Sequence, residues 1–467
     1  MIRATFGTWF SYGSTVLLQV MLADKLGMSI GATAFILLYA FAIAVASITT
    51  STITSVGIPR LIADDGAIAR RPAFLAAVLL GFVFLLTAIV AGDPAFAHFL
   101  VRSESKVRGI DGVIRWGSLF ALTQGLAGGV GALCIAKGRR FLPAAAPVLP
   151  TLGGAIVLIV AARPSASGVM MGVTLGSTAQ VCLLLVACRH IRLSSEHGDS
   201  AVGVSLLTVA QFVLLALLPP IELELASWHA SSAGAAYNFA VRGLAVAQQL
   251  LIGGLLLSSI GDWSTLARTG GLRALRDRFP RALVIGGLAL VLAAAVAFVA
   301  GRTLVSLTYQ RGSFSAADAK EVAHILVFAL PGFVAEGLSL IVAQAVLAMK
   351  WNDLAIGTGV TRACARLTSV VVGAAIWGPV GVAGGYSVAS VLIVLAQVVV
   401  VMRRGLVDRH SSNDLGRALA VAGLTVAVAG GVLLTGTSAG FVRAAVVVIA
   451  FVTFTILIQP ARARVNW

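Results

Sequence analysis

Apolar runs long enough to cross a bilayer recur from one end of this chain to the other, and no other feature constrains its fold as strongly. Hydropathy marks 14 of them, near residues 5–23, 30–56, 72–91, 111–136, 141–161, 166–188, 203–221, 231–259, 282–300, 319–349, 354–377, 379–402, 416–435 and 440–459. A helix rising about 1.5 Å per residue needs roughly 20 residues to cross about 30 Å of hydrocarbon. Only 11% of the residues are charged and 59% are apolar, whereas about 25% are charged in an ordinary soluble domain. A water-facing shell cannot be built from so little polarity. Soluble enzymes and nucleic-acid-binding proteins are therefore excluded, and the lack of period-two alternation excludes a β-barrel. The expected fold is an all-α polytopic membrane protein with about 14 transmembrane helices.

Charge supplies an independent test of topology. Lys and Arg number 34 against 18 Asp and Glu, a net charge of +16, and cytosolic loops collect such residues. With 14 spans and the N-terminus inside, 21 of the 34 fall on the cytosolic side, nine outside and four within spans. Both termini are thus expected in the cytosol, with the first span retained as a helix and not removed as a signal peptide. Spans 2 and 8 are both long and both precede basic loops, about 203 residues apart. The simplest division is a first lobe over 1–200, a second over 201–410 and a helix pair over 411–467. Duplicated bundles around a midplane site are a transporter architecture. The basic stretch Asp262–Arg281 is expected to lie as an amphipathic helix on anionic membrane lipids. Cys134, Cys182, Cys188 and Cys364 sit in apolar stretches without metal-ligand spacing and read as small buried hydrophobes.

Ionisable side chains inside spans are costly and mark cavities or partners. Arg115 lies close enough to the end of its span to snorkel. Arg242 lies deep in span 8, within Tyr237-Asn238-Phe239-Ala240-Val241-Arg242, with no acid in its own span. Its guanidinium stays protonated, so it requires an anion, carbonyls or a wet cavity. Glu336 lies 14 residues before Lys350 and Arg366 lies 13 after Asp353. Neighbouring antiparallel helices would place the two at one depth, with Arg362 a turn away on the same face. A buried Glu336–Arg366 pair assisted by Arg362 is expected, as packing or as a proton relay. The run Ser47–Ser55 in span 2, including Thr50, Ser51 and Thr54, suits either sugar hydrogen bonding or helix packing by small polar residues. Glu222 and Glu224 read as a solvated rim at the end of span 7. No catalytic constellation, metal-ligand spacing or phosphate loop is present, so the chain reads as a non-enzyme without cofactor or metal.

One segment points to a family. Leu307-Thr308-Tyr309-Gln310-Arg311-Gly312-Ser313-Phe314-Ser315-Ala316-Ala317-Asp318 resembles the (L/F)-x-Q-R-G-x-F-(T/S)-x-x-D segment of the MurJ/MviN lipid II flippases, members of the MOP exporter superfamily. Leu330-Pro331-Gly332 resembles that family's "GLP" span, and Trp377-Gly378-Pro379-Val380-Gly381 resembles its turn between spans 11 and 12. Span 8 resembles its "YADRL" helix, which aligns Arg242 with the family's cavity arginine. The resemblance implies a flippase for a polyprenyl-diphosphate-linked saccharide, lipid II or a related envelope precursor, in the bacterial cytoplasmic membrane. It also implies envelope-biosynthesis proteins as possible partners. Tyr237 and Asn238 beside Arg242 would bind substrate, and Gln310, Arg311, Gly312 and Phe314 carry the family motif. The chain also departs from the family. From Trp9 to Gly57 it has one Lys and no Arg, Val241 stands where the family has an acid, and Arg362 and Arg366 occupy a span linked elsewhere to sodium. Two alternatives accompany the flippase reading: a multidrug or cation antiporter of the same superfamily, and a transport-inactive scaffold in envelope polysaccharide assembly.

Overall fold

A computed structural model describes residues 2–52, 68–69, 110–136, 139, 141–189, 193–194, 206–230, 232–349, 351–407, 420–421, 424–425, 428–429 and 440–458. The expected span 72–91 and most of 416–435 lie outside the described residues, as does Thr54. The described chain is almost entirely helical: α1 Ile2–Leu26, α2 Ile30–Thr52, α3 Ile110–Ala136, α4 Phe141–Ala145, α5 Val148–Val160, α6 Ala166–Cys188, α7 Leu206–Ser227, α8 Ala233–Gln248, α9 Gly254–Tyr309, α10 Ala316–Ala348, α11 Asn352–Arg403 and α12 Gly440–Ile458. Helices are what hydrocarbon demands, because they satisfy every backbone group internally. Among the described residues, seven helices are long and apolar enough to cross a membrane. The sole sheet pairing among them joins Ile68–Ala69 to Leu193–Ser194, two residues a side.

Two long elements contain a reversal. In α11, Gly378 has φ 58° and ψ −138°, a left-handed conformation that suits glycine, and Pro379 follows without an N–H. The helix therefore folds back there. Gly373 packs against the Gly381 carbonyl and Gly385 against that of Ser369, so the element holds the two expected spans 354–377 and 379–402. In α9 the break is Gly271, φ 58°. Trp263 and Phe279 meet edge-on, 6.2 Å apart, on either side of it, while Leu275 is buried and Arg273, Arg278 and Arg281 are exposed.

Packing divides the chain into two units, Met1–Asn238 with Arg311–Ser315, and Phe239–Gln310 with Ala316–Trp467. In the first, α2 packs on α3 and α7, α6 on α3 and α5, and α1 on α4 and α5. Phe120, Leu158, Met170 and Leu184 are fully buried there. A polar tie crosses that core: the Gln124 amide donates to Ser177 Oγ at 2.8 Å and to Gln180 Oε1 at 3.0 Å. In the second unit α10 packs on α9 and α11, and α12 packs on α9, where Ala295, Val299, Ala300 and Val447 form the contact.

Candidate functional site

Arg242 projects from α8, an apolar helix that runs directly into a π-helical turn at Gln249–Gly253. Such turns are rare and concentrate at functional sites. The Arg242 side chain is half-buried, and among the described residues it has no ion pair, hydrogen bond or ring contact. Asn238 lies one turn earlier on the same face of the helix and is also half-buried.

Tyr237 points elsewhere. It is buried, and its hydroxyl donates to Glu222 Oε2 at 2.9 Å. This corrects the reading of Glu222 and Glu224 as a solvated rim, for they are 1% and 9% exposed. The helix does not stop where the apolar run ends. It continues through Pro219 and Pro220 to Ser227, carrying both carboxylates into the packed interior of the first unit.

Thr50 faces α3, where a side chain on Gly128 would meet its Oγ1 at 2.7 Å. Thr49, one residue before it, is buried and bonds back to the Val45 carbonyl at 2.8 Å. Ser51 lies in α2, and its side chain falls outside the described residues.

The segment Gln310-Arg311-Gly312-Ser313-Phe314 forms a clasp on the turn between α1 and α2. Gln310 directly follows the last residue of α9, and its N–H donates to the Ser306 carbonyl. The Ser313 N–H then donates to the Asp24 carbonyl at 2.7 Å, and its hydroxyl donates to the Lys25 carbonyl at 3.3 Å. Carbonyls in the last turn of a helix lack intrahelical partners, and the clasp supplies them. Gly312, φ 51°, lies so close to the Asp24 carbonyl that a Cβ would collide, and a Cβ on Gly27, φ 57°, would sit 2.6 Å from the Ser313 carbonyl. Phe314 is buried and Arg311 exposed.

In the second unit Glu336 of α10 meets two arginines of α11. Arg362 Nη2 contacts its Oε1, and Arg366 Nη1 lies 3.8 Å from Oε2. The three side chains are 11–17% exposed. Arg366 also sits 4.4 Å from the centre of the Tyr386 ring, a cation–π contact. Arg115 is exposed near the start of α3. The expectation that all four cysteines are buried does not hold: Cys134 and Cys188 are disulfide-bonded between α3 and α6, with Cα atoms 6.1 Å apart, while Cys182 and Cys364 are exposed. Among the described residues no three His, Cys, Asp or Glu side chains gather as metal ligands.

The sequence model described as "Lipid II flippase MurJ" matches residues 22–455. No curated protein matches the chain by sequence. A solved structure of lipid II flippase MurJ in an inward closed conformation superposes with a TM-score of 0.80 at 14% identity, covering 98% of each chain. An inward-facing multidrug resistance MATE transporter of the MOP superfamily superposes at 0.65, with 11% identity over 85% of this chain and 94% of its own. A Pyrococcus furiosus MOP transporter, described as having a binding pocket of reverse polarity, gives 0.60 and 12% identity over 86% and 94%. At these identities the structural likenesses establish the fold alone.

Proposed function

The chain belongs to the lipid II flippase MurJ family, and on that premise we propose that this multi-pass membrane transporter flips a polyprenyl-diphosphate-linked saccharide by alternating access. The observation that carries the reading is Arg242, a permanently charged fork within an apolar helix that no described side chain neutralises. A guanidinium matches phosphate oxygens in pairs, and a diphosphate supplies the anion that the helix lacks. Asn238, on the same face, is placed to bond an adjacent phosphate or sugar. The exposed Arg273, Arg278 and Arg281 beside the Gly271 break suit anionic headgroups. A bacterial cytoplasmic membrane is the setting this chemistry fits.

The cation-antiporter alternative requires a carboxylate that can exchange its cation. Glu336 is already engaged by two guanidiniums, which compete with any incoming cation for its oxygens. Arg242 further disfavours a cationic substrate.

The test is translocation in proteoliposomes of purified protein, with lipid II, an undecaprenyl-diphosphate oligosaccharide and an undecaprenyl-monophosphate sugar run in parallel. The reading expects the diphosphate lipids to move and the monophosphate to lag. Which diphosphate moves faster identifies the head group. A folded protein that moves none of them under an applied potential contradicts the flippase and favours the scaffold.

A further inference from the structure

From Phe239 onward, α8 and the first residue of the π-helical turn share one open face. Phe239, Ala240, Leu244, Val246 and Gln248 are buried, whereas Val241, Arg242, Ala245 and Gln249 are half-buried. At 3.6 residues per turn, those last four fall within about a third of the helix circumference, and the five buried residues fall outside it. The other half-buried positions in the stretch are Gly243 and Ala247, which have a methyl group at most to present. A face that carries a guanidinium and an amide is costly against lipid and suits a wet cavity.

Gln249 is the second polar residue of that face in this stretch. It lies seven residues after Arg242, two turns along and on the same side, which is about 10 Å further down the helix axis. Ala245 sits between the two and leaves the gap between the longer side chains open. Among the described residues the Gln249 side chain has no hydrogen bond or other polar partner. Its neighbour supplies the contrast. Gln248 is 7% exposed, and its Nε2 comes within 3.3 Å of a Cβ built on Gly337 of α10. Of two consecutive glutamines, one is packed into the second unit and the other shares the face of Arg242.

A glutamine amide offers a carbonyl acceptor and two N–H donors. Sugar hydroxyl and acetamido groups use both kinds, whereas an ionised phosphate only accepts. We infer that Gln249 recognises the saccharide, hydrogen-bonding the first sugars beyond a diphosphate held at Arg242. The inference rests on the flippase reading and deepens it. Arg242 takes what every polyprenyl diphosphate shares, and Gln249 takes what distinguishes one head group from another. In the orientation expected from the charge distribution, Gln249 lies on the cytosolic side of Arg242, where the head group of an incoming lipid stands.

The experiment measures equilibrium binding of undecaprenyl diphosphate and of an undecaprenyl-diphosphate oligosaccharide to the purified full-length protein. Gln249→Ala, Gln249→Met and Gln248→Ala are run beside it, each with a thermal unfolding curve. The unaltered chain should bind the saccharide lipid more tightly than the bare diphosphate. Gln249→Ala should weaken the saccharide lipid about tenfold, the worth of a hydrogen bond or two, and leave the bare diphosphate unchanged. Gln249→Met keeps the side-chain volume without the amide and should do the same, so it decides if the alanine variant does not fold. A purely structural role would weaken both lipids together. Gln248→Ala should retain the preference for the saccharide lipid. Equal weakening of both lipids by the Gln249 variants, or weakening of neither, overturns the inference and leaves the flippase reading standing. An unaltered chain that binds neither lipid contradicts the flippase reading, and the inference falls with it.

Discussion

Intramembrane arginines in this protein fall into two kinds. Arg362 and Arg366 are packed against a carboxylate, and Arg366 against an aromatic ring as well. Arg242 is half-buried with no such partner among the described residues. The comparison teaches how to separate architecture from binding in an apolar chain. A charge neutralised by its own protein holds helices together, and removing its partner should be felt in stability. A charge left for a ligand should be felt in transport and affinity, with the fold intact.

The sharpest break of that contrast is Glu336→Gln. It leaves two buried guanidiniums facing a neutral amide, and loss of one partner of a buried pair costs about 3–5 kcal/mol. The melting temperature should fall substantially, as read by thermal unfolding in detergent. An unchanged melt would mean that the pair contributes nothing to the fold. Arg242→Ala should do the reverse. Losing one member of a desolvated charge pair with the substrate costs about 2 kcal/mol or more, so translocation should drop about 30-fold or more while the melt stays put. Arg242→Lys keeps the charge without the fork and should fall between.

Smaller effects test the first unit. Gly312→Val forces a branched side chain into a left-handed backbone pressed against the Asp24 carbonyl. A cost of about 1–3 kcal/mol should loosen the clasp, seen as faster amide exchange at Ser313, whose N–H bonds that carbonyl. Smallest is Tyr237→Phe, which removes one buried hydrogen bond to Glu222 and should cost about 1 kcal/mol. If it abolishes transport without altering stability, Tyr237 acts on substrate and its contact with Glu222 is incidental.

Much of the architecture was legible because hydrocarbon leaves the backbone few choices. Apolar runs read as helices, and the Gln310–Phe314 motif identified the family. What stayed hidden depends on contacts that carry no residue label. The clasp is made largely by main-chain groups of Asp24, Lys25 and Ser313, which any residue possesses. Glu222 read as a rim because the apolar run of span 7 ends at residue 221, yet the helix runs on to Ser227. The Cys134–Cys188 pair, 54 residues apart, becomes visible only once α3 and α6 are packed. Depth counting paired Glu336 with Arg366 and gave Arg362 an assisting role, whereas Arg362 is the nearer partner.

The most direct test of the central claim, that Arg242 meets a lipid diphosphate, is equilibrium binding of undecaprenyl diphosphate to the purified protein and to Arg242→Ala, each checked by thermal unfolding. The account predicts affinity weaker by about 30-fold or more in the variant at an unchanged melting temperature. Equal affinity in the two proteins would contradict it and remove Arg242 from substrate recognition.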